Sequence, residues 1–199
     1  MRLFTTRSPD MTNSLKKAVF LDRDGVLNVD LGYTYKLTDL RLVDGMIEGL
    51  KALKDAGFLI IMITNQSGVA RGFFSLDHVH AFNDALTAAI KSQIPEFKFD
   101  AVMICPHHTD GKIAEFTVDC ACRKPGTKLI TDAAAKLPID LKRSWLVGDK
   151  SSDIDCANNA GLRGIQVTHG GKQYPQSKQS FATVKSLKEA ADIIIKQSL

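Results

Sequence analysis

Apolar runs recur along the chain, each cut short by a polar or glycine-rich stretch: KAVFL (17–21), FLIIMI (58–63), FDAVMIC (99–105), SWLVG (144–148) and GIQV (164–167). Continuous apolar runs of this length, without alternation, predict strands buried on both faces. Between them the period changes. Ile47, Leu50 and Leu53 are three apart, and Val79, Phe82, Leu86 and Ile90 keep a three-to-four spacing, which predicts amphipathic helices over 46–56 and 76–91. Ile130, Ala134 and Leu137 predict a short helix before Pro138, and Ser75 is a plausible N-cap for the second helix. Ser152 with Asp155 resembles a capping box for a fourth helix that closes near Gly161. The tail reads as a helix near 183–190 followed by an edge strand, DIII. Strands separated by helices of this length need crossovers, so the expected class is α/β, a mostly parallel sheet with helices on both faces.

Composition narrows the function classes. The chain has 199 residues, enough to bury a core without staples, and a single domain over 15–199 is expected after a loose leader, 1–14, in which Met11 is an alternative start. A net charge of +4, from 26 basic and 22 acidic residues without a basic run, argues against a nucleic-acid partner and suits a small anionic substrate. The opening stretch is too polar for a secretory signal, and no eighteen consecutive apolar residues occur, so no membrane role and a cytoplasmic location are expected. Small parallel-sheet domains cover both faces with their own helices, which favours a monomer.

In open parallel sheets ligands bind beyond the carboxyl ends of the strands. Those ends read DRDG, TNQSG, a cysteine–histidine segment, GDKSSD and THGG. In extended chain Asp22 and Asp24 point the same way, with Arg23 pointing elsewhere and Gly25 allowing a tight departure. Two such carboxylates repel unless a cation joins them, and oxygen-only clusters, here extended by Asp149 and Asp153, suit Mg²⁺. Thr64 and Asn65 close the second strand, where a hydroxyl, an amide and backbone N–H groups can cradle phosphoryl oxygens. Lys124 would set a compact charge on that group, and Arg123 could pair with a second phosphate or with hydroxyls.

Four cysteines in a cytoplasmic chain point to metal or structural thiols before disulfides. Cys156, alone in a predicted helix, reads as a small buried hydrophobe. Cys105, His107, Cys120 and Cys122 offer three thiolates and an imidazole, the tetrahedral set of a structural Zn²⁺. The spacing is not that of a zinc finger, and a disulfide among the pairs is the competing reading.

FLDRDGVLNVD, ITNQSGVARG, CRKP and VGDKSSDI resemble, in order and separation, the four motifs of haloacid dehalogenase superfamily phosphatases. NQSGVARG with CPHH and CACRKP is similar to the bacterial heptose-bisphosphate and histidinol-phosphate phosphatase group within it. The resemblance implies a three-layer Rossmann-like sheet, and the segments between motifs leave no room for a separate cap. It implies an aspartyl-phosphate mechanism with Asp22 as nucleophile and Asp24 as acid–base. Mg²⁺ is expected on Asp22, the Asp24 carbonyl and Asp149, with Lys150 as neighbour and Asp153 orienting Lys150 or waters. It implies substrate contacts by Asn28, Asp30, Tyr33 and Ser67, and a distal phosphate near Arg71, Arg123, Lys124 and Lys150. It also implies a zinc loop, 105–122, in which His107 ligates and His108 faces the surface or substrate. The preferred substrate is a bisphosphorylated heptose, with histidinol phosphate as the alternative. A non-enzymatic zinc module is the alternative of another class, and it leaves Asp22, Asp24, Asp149 and Lys124 unexplained.

Overall fold

The computed structural model describes residues 15–168 and 170–198, so the expectations for 1–14 lie outside the described residues. Six strands, β1 (Ala18–Leu21), β2 (Leu59–Asn65), β3 (Ala101–Cys105), β4 (Trp145–Gly148), β5 (Arg163–Val167) and β6 (Ala182–Val184), form one sheet in the order β3-β2-β1-β4-β5-β6. Every neighbouring pair is parallel. The helices are α1 (Met46–Asp55), α2 (Leu76–Lys91), α3 (Lys128–Lys136), α4 (Ser151–Asn159) and α5 (Leu187–Lys196).

Alternation along the strands divides the core into two layers. Val19, Leu21, Ile60 and Met62 pack with Leu50 and Leu53 of α1, Leu86 and Ile90 of α2, and Leu187 and Ile194 of α5. Ala18, Phe20, Ile61 and Ile63 pack on the other face with Ile130 and Ala133 of α3 and Ala157 of α4. The expected three-layer α/β class therefore holds, each apolar strand having a helical layer on both sides. Segments after β1 and β2 contain, among the described residues, only a short 3-10 turn (Leu37–Asp39), α1 and α2 before the next strand. No helix among the described residues is long and apolar enough to cross a membrane.

Three local expectations are corrected. DIII is not an edge strand: Asp192 to Ile195 continue α5, because Leu187, Ala190, Ala191 and Ile194 form a helical stripe against the core. The final strand is β6, which the apolar pattern was too short to signal. The fourth helix starts two residues earlier than the Ser152 reading, with Lys150 at the N-cap and its backbone N–H donating to Asp153 Oδ2 at 3.0 Å. Ser75 does cap α2, accepting from the His78 backbone N–H at 3.3 Å.

Candidate active site

Parallel pairing sends the ends of β1, β2 and β4 to one edge of the sheet. Leu21 lies level with Met62 on β2 and Val147 on β4, and the Asp22 N–H donates to the Val147 carbonyl at 2.9 Å. Asp22, Asp149 and Asp153 therefore converge, each buried and offering an oxygen within 4.8 Å of the others. Gly25 makes this approach possible: its φ of 85° is left-handed, and a Cβ there would overlap the Asp149 carboxylate.

Two lysines offset part of the charge. Lys124 Nζ lies 2.9 Å from Asp22 Oδ1 and 2.6 Å from Asp153 Oδ1, and donates to the Ile63 carbonyl at 3.3 Å. Burial alone would favour neutral Lys124, but Asp153 and Asp22 override it and hold the ammonium protonated beyond the ordinary range. Lys150 Nζ lies 3.2 Å from Asp30 Oδ2 and 3.5 Å from Asp149 Oδ1, and its pKa too is raised, because Asp22, Asp149 and Asp30 outweigh burial. Four carboxylates thus face two ammonium groups, a formal excess of two negative charges.

The excess falls on Asp149. Both its oxygens are buried without a hydrogen-bond partner, and burial, reinforced by Asp22, pushes its carboxyl up to about 8. Asp22 is also raised, by burial first and by Asp153, against the pull of Lys124. An orphaned carboxylate in an oxygen-only cluster of excess charge two fits a hard divalent cation such as Mg²⁺.

Asp24 faces the same side. It lines a cleft of about 300 Å³ together with Tyr33, Asn65, Gln66, Ser67, Arg123, Lys124, Lys150, Ser152, Lys172 and Tyr174. Thr64 is fully buried, outside the cleft lining, and accepts from Gln66 Nε2 at 2.8 Å. Three residues expected to meet substrate make hydrogen bonds within the protein. The Asn65 amide bonds the Lys124 backbone in both directions, at 3.1 and 3.0 Å, tying the CRKP turn to β2. Asn28 is fully buried and donates to Asp24 Oδ1 at 2.9 Å, so it supports Asp24 and does not line the cleft. Asp30 is buried by Gly32 N–H (2.8 Å), Lys150 Nζ (3.2 Å) and the Tyr174 hydroxyl (2.9 Å), and its backbone pairs with the loop after β5. It is a clasp between two loops.

Tyr33 and Ser67 do line the cleft, Tyr33 at a φ of 53° with its ring edge-on to Phe73. Arg71 stands behind Arg123, in an ion pair with Asp110 at 2.8 Å and 3.2 Å from His108 Nε2. Nη1 of Arg123 is buried without a partner, and burial, reinforced by nearby Arg71, lowers the guanidinium below its ordinary value. His108 is lowered as well, by desolvation first and then by Arg123 and Arg71, against the pull of Asp110.

Sequence reasoning missed Arg23, Gln66, Asn83, Lys172 and Tyr174. Arg23 does not point away: it folds onto Asp24, Nη2 to Oδ2 at 3.0 Å, and is fully buried. Gln66 lies inside TNQSG, the stretch that closes the second strand. Lys172 and Tyr174 follow the strand end THGG, where the rule that ligands gather at strand ends could have directed attention.

Cys105 ends β3 beside Asn65, and Cys120 and Cys122 return to it across the 105–122 loop. His107 Nδ1 lies 3.2 Å from Cys122 Sγ, Cys122 Sγ 3.4 Å from Cys120 Sγ, and Cys120 Sγ 3.6 Å from Cys105 Sγ. Edges of about 3.5–3.8 Å are what zinc–sulfur and zinc–nitrogen bond lengths imply for a tetrahedron. Cys105 and Cys122 are paired as a disulfide, which differs from the expectation of four free donors. A disulfide uses only two of the four, and leaves the convergence of His107 and Cys120 on the same point without a reason.

An α/β sheet with acids at the ends of β1 and β4 and a buried lysine between them defines a haloacid dehalogenase-like phosphoric monoester hydrolase. A family model described as "HAD-hyrolase-like" matches residues 121–190. The chain is 36% identical over 182 residues to D-glycero-beta-D-manno-heptose-1,7-bisphosphate 7-phosphatase of Pasteurella multocida, covering 90% of this chain and 97% of that protein. It is 42% identical over 154 residues to the D-glycero-alpha-D-manno-heptose-1,7-bisphosphate 7-phosphatase of Photorhabdus laumondii, covering 76% and 82%. The crystal structure of D,D-heptose 1,7-bisphosphate phosphatase from B. bronchiseptica, complexed with magnesium and phosphate, superposes with a TM-score of 0.76 at 29% identity, covering 91% and 99%. The chain belongs to the D-glycero-D-manno-heptose-1,7-bisphosphate 7-phosphatase family.

Proposed function

We propose that this enzyme is a Mg²⁺-dependent phosphatase that removes the C7 phosphate of D-glycero-D-manno-heptose 1,7-bisphosphate, leaving heptose 1-phosphate. The observation that carries the reading is the buried meeting of Asp22, Asp149 and Asp153 around Lys124, with both Asp149 oxygens lacking a hydrogen bond. Family membership supplies the sugar.

In this reading Asp22 attacks phosphorus and the C7 oxygen leaves with a proton from Asp24. Water then attacks the aspartyl-phosphate, Asp24 takes its proton, and inorganic phosphate departs. Asp22, the Asp24 carbonyl and Asp149 would hold Mg²⁺, which lowers the repulsion between an anionic nucleophile and an anionic ester. Lys124 holds Asp22 by its ion pair and contributes positive charge to the equatorial phosphoryl oxygens. Thr64, at the end of β2, joins that cradle. Arg123, which lines the cleft, receives the C1 phosphate, with Lys150 at the same cleft and Arg71 close to Arg123 extending the positive field. Tyr33 and Ser67 wall the sugar.

Cys105, His107, Cys120 and Cys122 hold a structural Zn²⁺ in the reduced protein, and the loop leads directly into Arg123 and Lys124. The same reading takes 15–199 as one domain, working as a monomer in the cytoplasm. It is supported by a sheet whose two faces are covered by the chain's own helices and by thiolates that require a reducing compartment.

The test is a panel with Mg²⁺ comparing kcat/KM for both heptose bisphosphate anomers, histidinol phosphate and simple sugar monophosphates. A heptose bisphosphate preferred by at least ~10²-fold supports the reading, and histidinol phosphate at the head of the panel would replace it.

A further inference from the structure

Asp24 is held far more firmly than a solvent-facing carboxylate. Its Oδ1 accepts from Arg23 Nε (3.3 Å), Arg23 Nη2 (3.1 Å) and Asn28 Nδ2 (2.9 Å). Its Oδ2 accepts from Arg23 Nη2 (3.0 Å) and Gln66 Nε2 (2.9 Å). Every partner is a donor. The guanidinium is itself anchored: Nη1 donates to Asn83 Oδ1 at 3.1 Å, Nη2 to the Thr34 carbonyl at 2.7 Å, and its carbon lies 4.6 Å from the Phe82 ring centre. Arg23 thus ties the carboxylate to α2 and to the excursion after β1, while its own side chain has no exposure.

A buried guanidinium is costly to desolvate, and neither the Mg²⁺ cluster nor the cleft uses this one. Its planar fork matches the plane of one carboxylate, and the Asp24 side chain keeps 13% of its surface exposed at the cleft. We infer that Arg23, with Gln66 and Asn28 at its side, is a positioning residue that sets the plane of the Asp24 carboxylate, so that its open edge meets the leaving oxygen. The inference rests on the acid–base role proposed for Asp24. Within the release step it makes Arg23 matter only where the leaving group needs a proton; the later proton transfer from water to Asp24 follows release and is common to every ester.

The experiment measures leaving-group release in single turnovers with two esters. A sugar phosphate expels an alkoxide that needs protonation, whereas p-nitrophenyl phosphate expels a phenolate that does not. Arg23→Lys, which keeps the charge and loses the fork, should slow the sugar phosphate about 10- to 100-fold and leave nitrophenolate release within about 3-fold. Asn83→Ala removes only the anchor of Arg23 and should show the same split at smaller size, so it carries the test should Arg23→Lys fail to fold. Arg23→Lys combined with Asp24→Asn should be no slower on the sugar phosphate than Asp24→Asn alone. Equal slowing on both esters, or additive losses in the double variant, would overturn the inference. Asp24→Asn that slows both esters equally would instead sink the acid–base role itself, and the inference with it.

Discussion

Two clusters of metal-binding character lie at the carboxyl edge of the same sheet, and they are built on opposite plans. The oxygen cluster draws Asp22 from the end of β1, Asp149 from the end of β4 and Asp153 from the first turn of α4, so it exists only when the sheet has formed. All three acids are buried, and their repulsion is only partly offset by Lys124 and Lys150. The sulfur cluster comes from one stretch of chain, Cys105 to Cys122, and three of its four donors are half-buried. The first is global in origin, hard in ligand type and charged. The second is local and soft, and on the proposed reading it is closed to substrate. On that same reading chemistry belongs to the first and loop order to the second, so damage to each should leave different traces.

The sharpest test of that division is Asp22→Asn. Phosphatase activity should fall by at least ~10⁴-fold, while the circular dichroism spectrum and the bound zinc remain those of the unchanged protein. Activity above one hundredth of the original would remove Asp22 from the nucleophile's place.

Asp149→Asn should cost about 10²- to 10³-fold in kcat/KM and abolish the response to Mg²⁺. It should also change how stability depends on pH. In the metal-free protein the folded-state pKa of Asp149 is about 8, above the ordinary 3.8, so the folded state binds the extra proton between those values. Its contribution is fully present below about pH 4 and is lost as pH rises through about 8. Thermal melts without Mg²⁺ should therefore show Tm falling over that window, less steeply in Asp149→Asn, and Mg²⁺ should flatten the slope in the unchanged protein alone. Equal slopes in the two proteins would mean that Asp149 is not the strained group.

The two plans also explain what could be read in advance. The acids were legible because β1, β2 and β4 are unbroken apolar runs, which fixed where the sheet ends and so which polar residues share its edge. The sulfur donors were legible by residue type alone. What escaped were contacts that depend on side-chain path. Arg23 alternates away from Asp22 in an extended strand, yet the chain turns at Gly25 and the guanidinium returns to Asp24. Asn28, Asn65 and Asp30 have the polarity of substrate ligands, but their hydrogen bonds are committed to Asp24, Lys124 and the loop after β5. Sequence polarity marks a residue as needing a partner without saying whether the partner is substrate or protein. The DIII stretch failed for a related reason, since a short β-branched run fits a strand and a buried helix stripe equally well.

Damage to the soft cluster should be smaller and of another kind. Cys120→Ser should bind less than one zinc per chain, melt about 10 °C lower and lose about 10-fold in kcat/KM, because the loop presents Arg123 and Lys124. A chelator should reproduce the lower Tm in the reduced protein. If Cys105 and Cys122 instead stabilise the loop as a disulfide, a reductant should lower the Tm and the chelator should not. An active, normally stable Cys120→Ser protein would contradict both the metal and its influence on the cleft.

The smallest effect should come from Arg123, the residue that joins the two regions. It follows Cys122 directly and precedes Lys124, so the sulfur cluster fixes its backbone while its side chain reaches the cleft. The guanidinium is already partly desolvated by the fold, so a phosphate meeting the part that lines the cleft gains a charge-assisted hydrogen bond at a reduced desolvation cost. That gain is the same before and during the reaction, because the distal phosphate does not change charge when C7 is cleaved. Uniform binding of this kind appears in KM and not in kcat. Arg123→Met should therefore raise KM for a bisphosphorylated sugar about 10-fold, roughly 1.4 kcal/mol, leave kcat within about 3-fold, and leave a monophosphate without a distal group unaffected. If the loop acts on substrate through this side chain, Cys120→Ser should add little to KM in the Arg123→Met background, since the group it misplaces is no longer there. Full additivity would mean that the sulfur cluster reaches the reaction by another route, with Lys124 as the next residue to examine.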